Sequence, residues 1–278
     1  MRTELSRARE KYEKLGTEIA AAENAEEQKI AADNLMTYQY NYVDHADDAI
    51  TVTNIYSETG EVLTIPLDRR LSIIQNMQAY YKKYDKLKRA QKLLVVQQDA
   101  CRANIRHLES IETSLDSSTR LAEIAEIQEE LIASGYLHEK MPKKNKDRRA
   151  QPFSFTAPDG MTILVGKNNM QNDALTFRTA APTDLWLHVR DIPGSHVILR
   201  TGGTAPSEET LHLAAQIAAH FSKARGSSTV PVDYTAIRFV KKPSGAVPGF
   251  VRFTHEKTLF VTEDEEALTP ILAQDPTV

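Results

Sequence analysis

The chain of 278 residues is poor in several features, and each shortage narrows what it can be. It has one cysteine, Cys101, so no internal disulfide forms and no Cys/His metal cluster assembles around it. No apolar run approaches the ~20 residues that a membrane-spanning helix requires, and mean hydropathy is −0.42. The opening MRTELSRARE alternates charge and polarity and lacks the apolar stretch of a secretory leader. These absences predict a cytoplasmic protein without membrane contact. There is a single tryptophan, Trp186. What remains is ordinary globular composition, 41% hydrophobic and 26% charged, enough for a buried core in two domains or in one domain plus a long helical element.

The formal net charge of −4 conceals an asymmetry. Residues 1–137 carry 17 Lys+Arg against 23 Asp+Glu, a net of −6, and residues 138–278 carry 17 against 15, a net of +2. Within the second part, residues 140–257 hold 17 against 9, a net of +8, and five acids fall between Glu263 and Asp275. A basic module between acidic segments points to a polyanionic partner.

Along the chain, Leu5, Ala8, Tyr12, Leu15, Ile19 and Ala22 recur at a 3-4 spacing that predicts a helix with a narrow apolar seam, continuing more loosely to Tyr42. β-Branched residues on either side of Ser57–Gly60 predict a hairpin with strands near 50–56 and 61–65. A second long helix, roughly 72–115, carries a 4-3 repeat from Tyr80 to Leu115, and a shorter one over 119–133 ends near Gly135. The expected fold is α+β: residues 1–137 form a long antiparallel coiled-coil arm with a β-hairpin at its tip, near 50–67. Residues 138–150 form a basic linker, and 151–278 a compact α+β domain with an acidic C-terminal tail. In that domain strands are expected at 161–165, 184–189, 196–200, 236–240, 250–254 and 258–262. A helix over 207–225 is capped by Ser207, and a short helix from Asn172 runs to Ala180.

Three clusters could carry chemistry. In Asp184–Val197 a strand, a Pro193–Gly194 turn and a second strand place Leu185, Leu187 and Val189 on one face and Trp186, His188 and Arg190 on the other. A ring, an imidazole and a guanidinium on one face can stack a base and contact phosphate. A hydrolase built on Ser195 is disfavoured, because His196 is its immediate neighbour and no G-x-S-x-G elbow is present. A metal site from His188, Asp191 and His196 lacks a second cluster. The bland reading makes Trp186 a core anchor and Asp191 a turn residue. The second cluster, Gly166–Asp173, gathers Lys167, Asn168, Asn169 and Asn172 at a helix start, where anions bind, or forms an ordinary Asn-rich turn. The third, Lys223, Arg225, Arg238, Lys241 and Lys242, reads singly as helix-end and turn cations and jointly as a phosphate-tracking surface.

The ordered string GKNNMQND, LWLHVRDIPGSHVILR, SEETLHLAAQIAAHFSKAR, VPVDYT and VKKPSGAVPGFV closely resembles the NFACT-R domain, and the helix–hairpin–helix before it resembles the middle coiled coil of the same proteins. These are the bacterial RqcH and eukaryotic NEMF proteins, also labelled fibronectin-binding protein A-like. The resemblance implies ribosome-associated quality control: binding of the large ribosomal subunit (rRNA and stalk-base proteins) carrying a stalled peptidyl-tRNA, and alanine tailing of the nascent chain. The chemistry is then the ribosome's, and no catalytic residue, metal or cofactor is implied. RNA contacts are implied at Lys167, Asn168, Asn169, Asn172, His188, Arg190, Ser195, His196, Lys223, Arg225, Lys241 and Lys242. Family proteins begin with an NFACT-N domain and a helix-hairpin-helix segment, whereas this sequence opens in the coiled coil. It is therefore expected to be a C-terminal fragment, with alanyl-tRNA engaged only through the missing part. A fibronectin-binding surface adhesin is the alternative that the older label suggests.

Overall fold

A computed structural model of the chain describes residues 2–42, 47–138 and 150–275. Its residues divide into two compact units, Ser6–Asn104 and a second made of Ile105–Val278 with the first five residues, so the division falls inside one long helix. Most of the expected basic linker, residues 139–149, lies outside the described residues.

In the first unit, α1 (Arg2–Ala22) and α2 (Ala25–Tyr38) precede a hairpin of β1 (Ala49–Thr53) and β2 (Val62–Pro66), and α3 (Ile73–Asp116) follows. The predicted seam is the packed side: Leu5, Ala8, Leu15 and Ala22 are buried, and α3 positions 80, 84, 87, 91, 94 and 98 are half-buried, most of the residues between them exposed. The side-chain contacts run antiparallel. The Cys101 thiol donates to the Ala8 carbonyl (3.2 Å), Lys88 pairs with Glu26 (2.7 Å), and the Tyr81 hydroxyl donates to Asp33 (2.5 Å). The hairpin is shorter than its β-branched run suggests, because Asn54 to Glu61 closes as a loop held on α2. Asn34 donates to the Asn54 side chain, and Ile55 N–H donates to Asn34. Ile50, Val52 and Ile65 then pack with Ala31, Leu35, Leu67 and Ile73, which supplies the apolar backing that an isolated two-stranded ribbon lacks.

In the second unit, α4 (Leu121–Ala133) is followed by β3 (Phe153–Thr156), β4 (Thr162–Val165), α5 (Asn169–Ala174), β5 (Leu185–Val189), β6 (Val197–Arg200), α6 (Glu208–His220), β7 (Val230–Ala236), β8 (Val240–Lys241), β9 (Arg252–Phe253), β10 (Lys257–Val261) and α7 (Glu265–Leu272). Six strands form one antiparallel sheet in the order β10-β7-β5-β6-β4-β3, and β8 pairs with β9 separately. Ser207 caps α6, its hydroxyl accepting from Thr210 N–H. The Ala- and Leu-rich face of α6 covers one face of the sheet over Phe155, Ile163, Leu187, Val197 and Val232. A smaller cluster of Leu175, Trp186, Ile198 and Val240 fills the other.

Four sequence expectations need correction here. Strand β3 was not anticipated. The strand expected at 236–240 lies earlier: β7 ends at Ala236 and Ile237–Phe239 is a 3-10 turn, and β7 sits centrally between β10 and β5 although Pro231 argues against a central strand. The short helix is capped by Asn168 rather than Asn172 and passes into a π-helical turn, Leu175–Thr179. The acidic tail is largely a helix: Asp264 caps α7, Glu265 and Glu266 sit in its first turn, and Leu268 and Ile271 are buried.

Candidate nucleic-acid interface

The period-two reading of β5 holds: Leu187 and Val189 enter the core beneath α6, with Leu185 packed against it, and Trp186, His188 and Arg190 take the opposite face. That face is not open as expected. Trp186 is 1% exposed and packs on Phe253 at 4.8 Å between ring centroids, because the chain from Leu175 onward and the β8–β9 hairpin cover it. His188 stacks on Trp186 (5.6 Å, 11°) and meets His196 edge-on (5.6 Å). His196 is buried, its Nδ1 2.8 Å from the Thr176 hydroxyl, and its backbone N–H donates to Asn172 Oδ1. Burial pushes the His196 pKa down to about 3, the neighbouring His188 adding to the fall, so the ring is neutral at pH 7. Burial likewise lowers His188. Neither ring is therefore a cation for phosphate at neutral pH, and His196 is not reachable.

Arg190 also has a partner inside the chain. Its Nε and Nη2 donate to the two oxygens of Asp233 (3.0 and 2.7 Å), and Nη2 also bonds to the Thr258 hydroxyl. The register of β5 on β7 sets His188 opposite Asp233, which brings the carboxylate within reach of the guanidinium two residues on. The expected free cation is thus a bidentate fork closed on a buried acid.

The Gly166–Asp173 stretch does gather donors around an anion, but the anions are glutamates of α4. Lys167 Nζ lies 2.9 Å from Glu123 Oε1 and 3.8 Å from the centre of the Phe153 ring. Asn168 Oδ1 accepts from Gln171 N–H, while Asn168 Nδ2 and Gln171 Nε2 both donate to Glu126 Oε2 (2.6 and 2.8 Å). Asn169 Nδ2 donates to Glu130 Oε1 and Ser110 Oγ, each at 2.8 Å. Glu123, Glu126 and Glu130 fall three and four apart, so one face of α4 presents all three. Lys167, Asn168, Asn169 and Asn172 are buried, and the donors of Lys167, Asn168 and Asn169 are turned to the α4 glutamates rather than to an outside anion. Gly166 is required locally, since a Cβ there would sit 2.1 Å from Asn172 Oδ1.

The remaining candidates lie at the surface. Ser195 N–H donates to the Phe221 carbonyl and Lys223 N–H to the Pro193 carbonyl, so the Pro193–Gly194 turn and the end of α6 form one edge carrying half-buried Ser195 with exposed Lys223 and Arg225. Lys242 pairs with Asp173, whose other oxygen accepts from Gly249 N–H and fixes the loop after β8. Lys223, Arg225, Arg238, Lys241 and Arg252 are exposed and form no ion pair among the described residues. Arg252 was missed in the sequence. Only the pairing of β8 with β9 sets it directly across from Lys241.

Two family models match successive parts of the chain. The model of the NFACT N-terminal and middle domains matches residues 1–150, and that of the NFACT protein RNA binding domain matches 151–253. The chain is 41% identical to the Rqc2 homolog RqcH of Bacillus subtilis over 93% of its length, and 43% identical to that of Streptococcus suis over 96%. It belongs to the RqcH/NEMF family of NFACT proteins. This RqcH-family chain spans about half the length of those curated relatives, 45% and 47%. It also superposes on a solved structure described as the C-terminal of the fibronectin/fibrinogen-binding protein from Streptococcus suis, with a TM-score of 0.72 and 38% identity, covering 97% of this chain and 93% of that one. The basic sheet domain of the family member is thus the part matched as RNA-binding.

Proposed function

We propose that this chain is the RNA- and ribosome-binding part of an RqcH-type quality-control factor. In this reading it holds large ribosomal subunits that carry a stalled peptidyl-tRNA and supports tRNA-dependent alanine tailing. The ribosomal peptidyl-transferase centre supplies the chemistry, so the chain needs no catalytic residue or cofactor of its own. The observation that carries the reading is the set of cations within the residues matched as an RNA-binding domain, 151–253: Lys223, Arg225, Arg238, Lys241 and Arg252 are exposed and have no carboxylate partner among the described residues. Such cations bind a phosphate backbone by releasing its counterions. Lys223 and Arg225 on the edge beside the Pro193–Gly194 turn, with Lys241 and Arg252 on the small hairpin, are the contacts that this reading assigns to RNA. The helical unit, in this account a coiled-coil arm with the β1–β2 hairpin as its tip, engages protein at the stalk base.

The test is binding of purified large subunits and of naked rRNA across a salt series. Subunit binding that weakens with salt supports the reading, and a shortened Asn54–Glu61 loop should weaken subunit binding while leaving naked-RNA affinity unchanged. One observation favours a second reading, a fibronectin-binding surface protein: the solved relative is named for fibronectin and fibrinogen binding. Immobilised fibronectin in the same series separates the two.

A further inference from the structure

The RNA reading leaves one surface feature unaccounted for, the flank of the β8–β9 hairpin. His255 is exposed, and its backbone has φ +59, the left-handed region, which is costly for a residue with a side chain. Its ring is fixed from two sides. Nδ1 lies 3.0 Å from the Thr254 hydroxyl, and the imidazole stacks on Phe239 at 4.2 Å and 23°. The backbone below is tied to the sheet by Thr235, whose hydroxyl donates to the Thr254 carbonyl. The Arg238 guanidinium lies 4.9 Å from the centre of the Phe239 ring. A ring stacked on one face and exposed overall leaves its other face to solvent.

The charges nearby are equally unexplained by the fold. Residues 238–257 hold five Lys and Arg against one acid, Glu256. Of the five, Lys242 is taken by Asp173. Lys241 and Arg252 are cross-strand partners on the solvent side, since Val240 and Phe253 point inward. Like charges directly opposed across a strand pair are destabilising unless something neutralises them. Neither has an ion pair among the described residues. At no more than ~3.3 Å per residue, Arg252 and His255 are within about 10 Å of one another along the chain, a span on the order of one to two nucleotides of single-stranded RNA.

We propose that this flank is a single-base stacking site: an unpaired RNA base lies on the open face of His255, and the adjoining phosphates sit between Lys241 and Arg252. The proposal rests on the RNA-binding reading and adds to it which part of the RNA is held here and how. Every base has a π-face, so such a site accepts any unpaired base and excludes paired helix, whose bases are already stacked. An acidic protein segment would use the cations but not the ring.

The experiment measures fluorescence anisotropy of the full chain with two labelled ten-residue oligoribonucleotides, one with bases and one abasic throughout. The expected result is that the parent binds the base-bearing oligonucleotide more tightly. His255→Ala should raise its Kd about tenfold, within the range of one lost base stack, and leave the abasic Kd unchanged. His255→Tyr, which keeps a ring, should restore affinity. Lys241→Gln with Arg252→Gln should weaken both oligonucleotides and reduce the log–log salt slope by about 1.4, two contacts at ~0.7 each. Equal Kd values for the two oligonucleotides in the parent, or equal effects of His255→Ala on both, overturn the stacking site and leave the RNA reading standing. No binding of either oligonucleotide by the parent overturns the RNA reading and this site with it.

Discussion

Lys167 is the residue at which sequence and structure diverge most, and Lys167→Met resolves the divergence. In the folded chain its ammonium is 6% exposed and its partner Glu123 3% exposed, at 2.9 Å. Glu123 Oε2 also accepts the backbone N–H groups of Thr119 and Arg120 and so starts α4. Removing the lysine leaves a carboxylate in a site almost closed to water, with two amide donors remaining. Breaking one side of a buried ion pair costs about 3–5 kcal/mol, and loss of the contact with the Phe153 ring adds about 0.5–1 kcal/mol. The two surviving amide bonds offset part of this, so Lys167→Met should lower unfolding stability by roughly 3 kcal/mol. Methionine preserves most of the volume, and a cavity contributes little. Adding Glu123→Gln removes the stranded charge and keeps an oxygen for the caps. The double variant should recover roughly 2 kcal/mol of the loss, a coupling that two independent sites would not give. Urea titration of the parent, both single variants and the double variant measures this directly. RNA affinity at 20 °C, where all four remain folded, should be the same for each. A Lys167→Met protein as stable as the parent but weaker on RNA would put the ammonium on phosphate and refute the α4 contact.

The other expectations follow from the same network and from the sheet. Burial raises the Glu130 carboxyl from 4.5 to about 7, with Asp173 raising it further and the Asn169 hydrogen bond opposing; His107 lies 3.7 Å away with its own pKa lowered by burial. The folded state therefore holds the extra proton between these values, and its stability falls as pH rises from 4.5 through 7. Glu130→Gln, which removes that penalty, should gain on the parent by roughly 3 kcal/mol between pH 5 and pH 8, and a gap that does not change with pH in chemical denaturation would contradict the assignment. Arg190→Ala strands the buried Asp233 carboxylate and should lower stability, which Asp233→Asn partly restores; no loss of stability would show the fork to be idle. Gly166→Ala drives a methyl into the Asn172 side chain, 2.1 Å from where its Cβ would sit, and should lower the thermal midpoint clearly; an unchanged midpoint would deny the close approach.

What could be read from the chain was local. The 3-4 seam of α1, the 4-3 seam of α3, the Ser207 cap and the alternation along β5 depend on neighbours within a few residues, and the folded chain keeps them. What could not be read was what covers each face. A lysine among asparagines looks the same whether its anion is a phosphate or Glu123, 44 residues earlier. Arg190 looked free because Asp233 lies on β7, a strand that Pro231 disguised, and only the register brings the two together. Trp186 and His188 alternate correctly with Leu187, yet the lid over Trp186 comes from Val240 and Phe253, more than fifty residues on. The acids after Glu263 read as a tail because their role, complementing the start of α7, depends on Leu268 and Ile271 finding the core. The family resemblance succeeded where these arguments stopped, since ordered motifs record the whole fold at once.

The central claim, that the sheet domain attaches this chain to ribosomal RNA through its unpaired cations, is tested most directly by sucrose-gradient co-sedimentation with purified large subunits. The parent is compared with a variant carrying Lys223→Glu, Arg225→Glu, Lys241→Glu and Arg252→Glu. All four residues are exposed and unpaired among the described residues, so the variant should fold as the parent does, checked by circular dichroism and its thermal midpoint. The account predicts that the parent travels with the large subunit at about 0.1 M salt and is released as salt rises, and that the folded variant stays at the top of the gradient. A folded variant that still travels with the subunit, or a parent that never does, would contradict it.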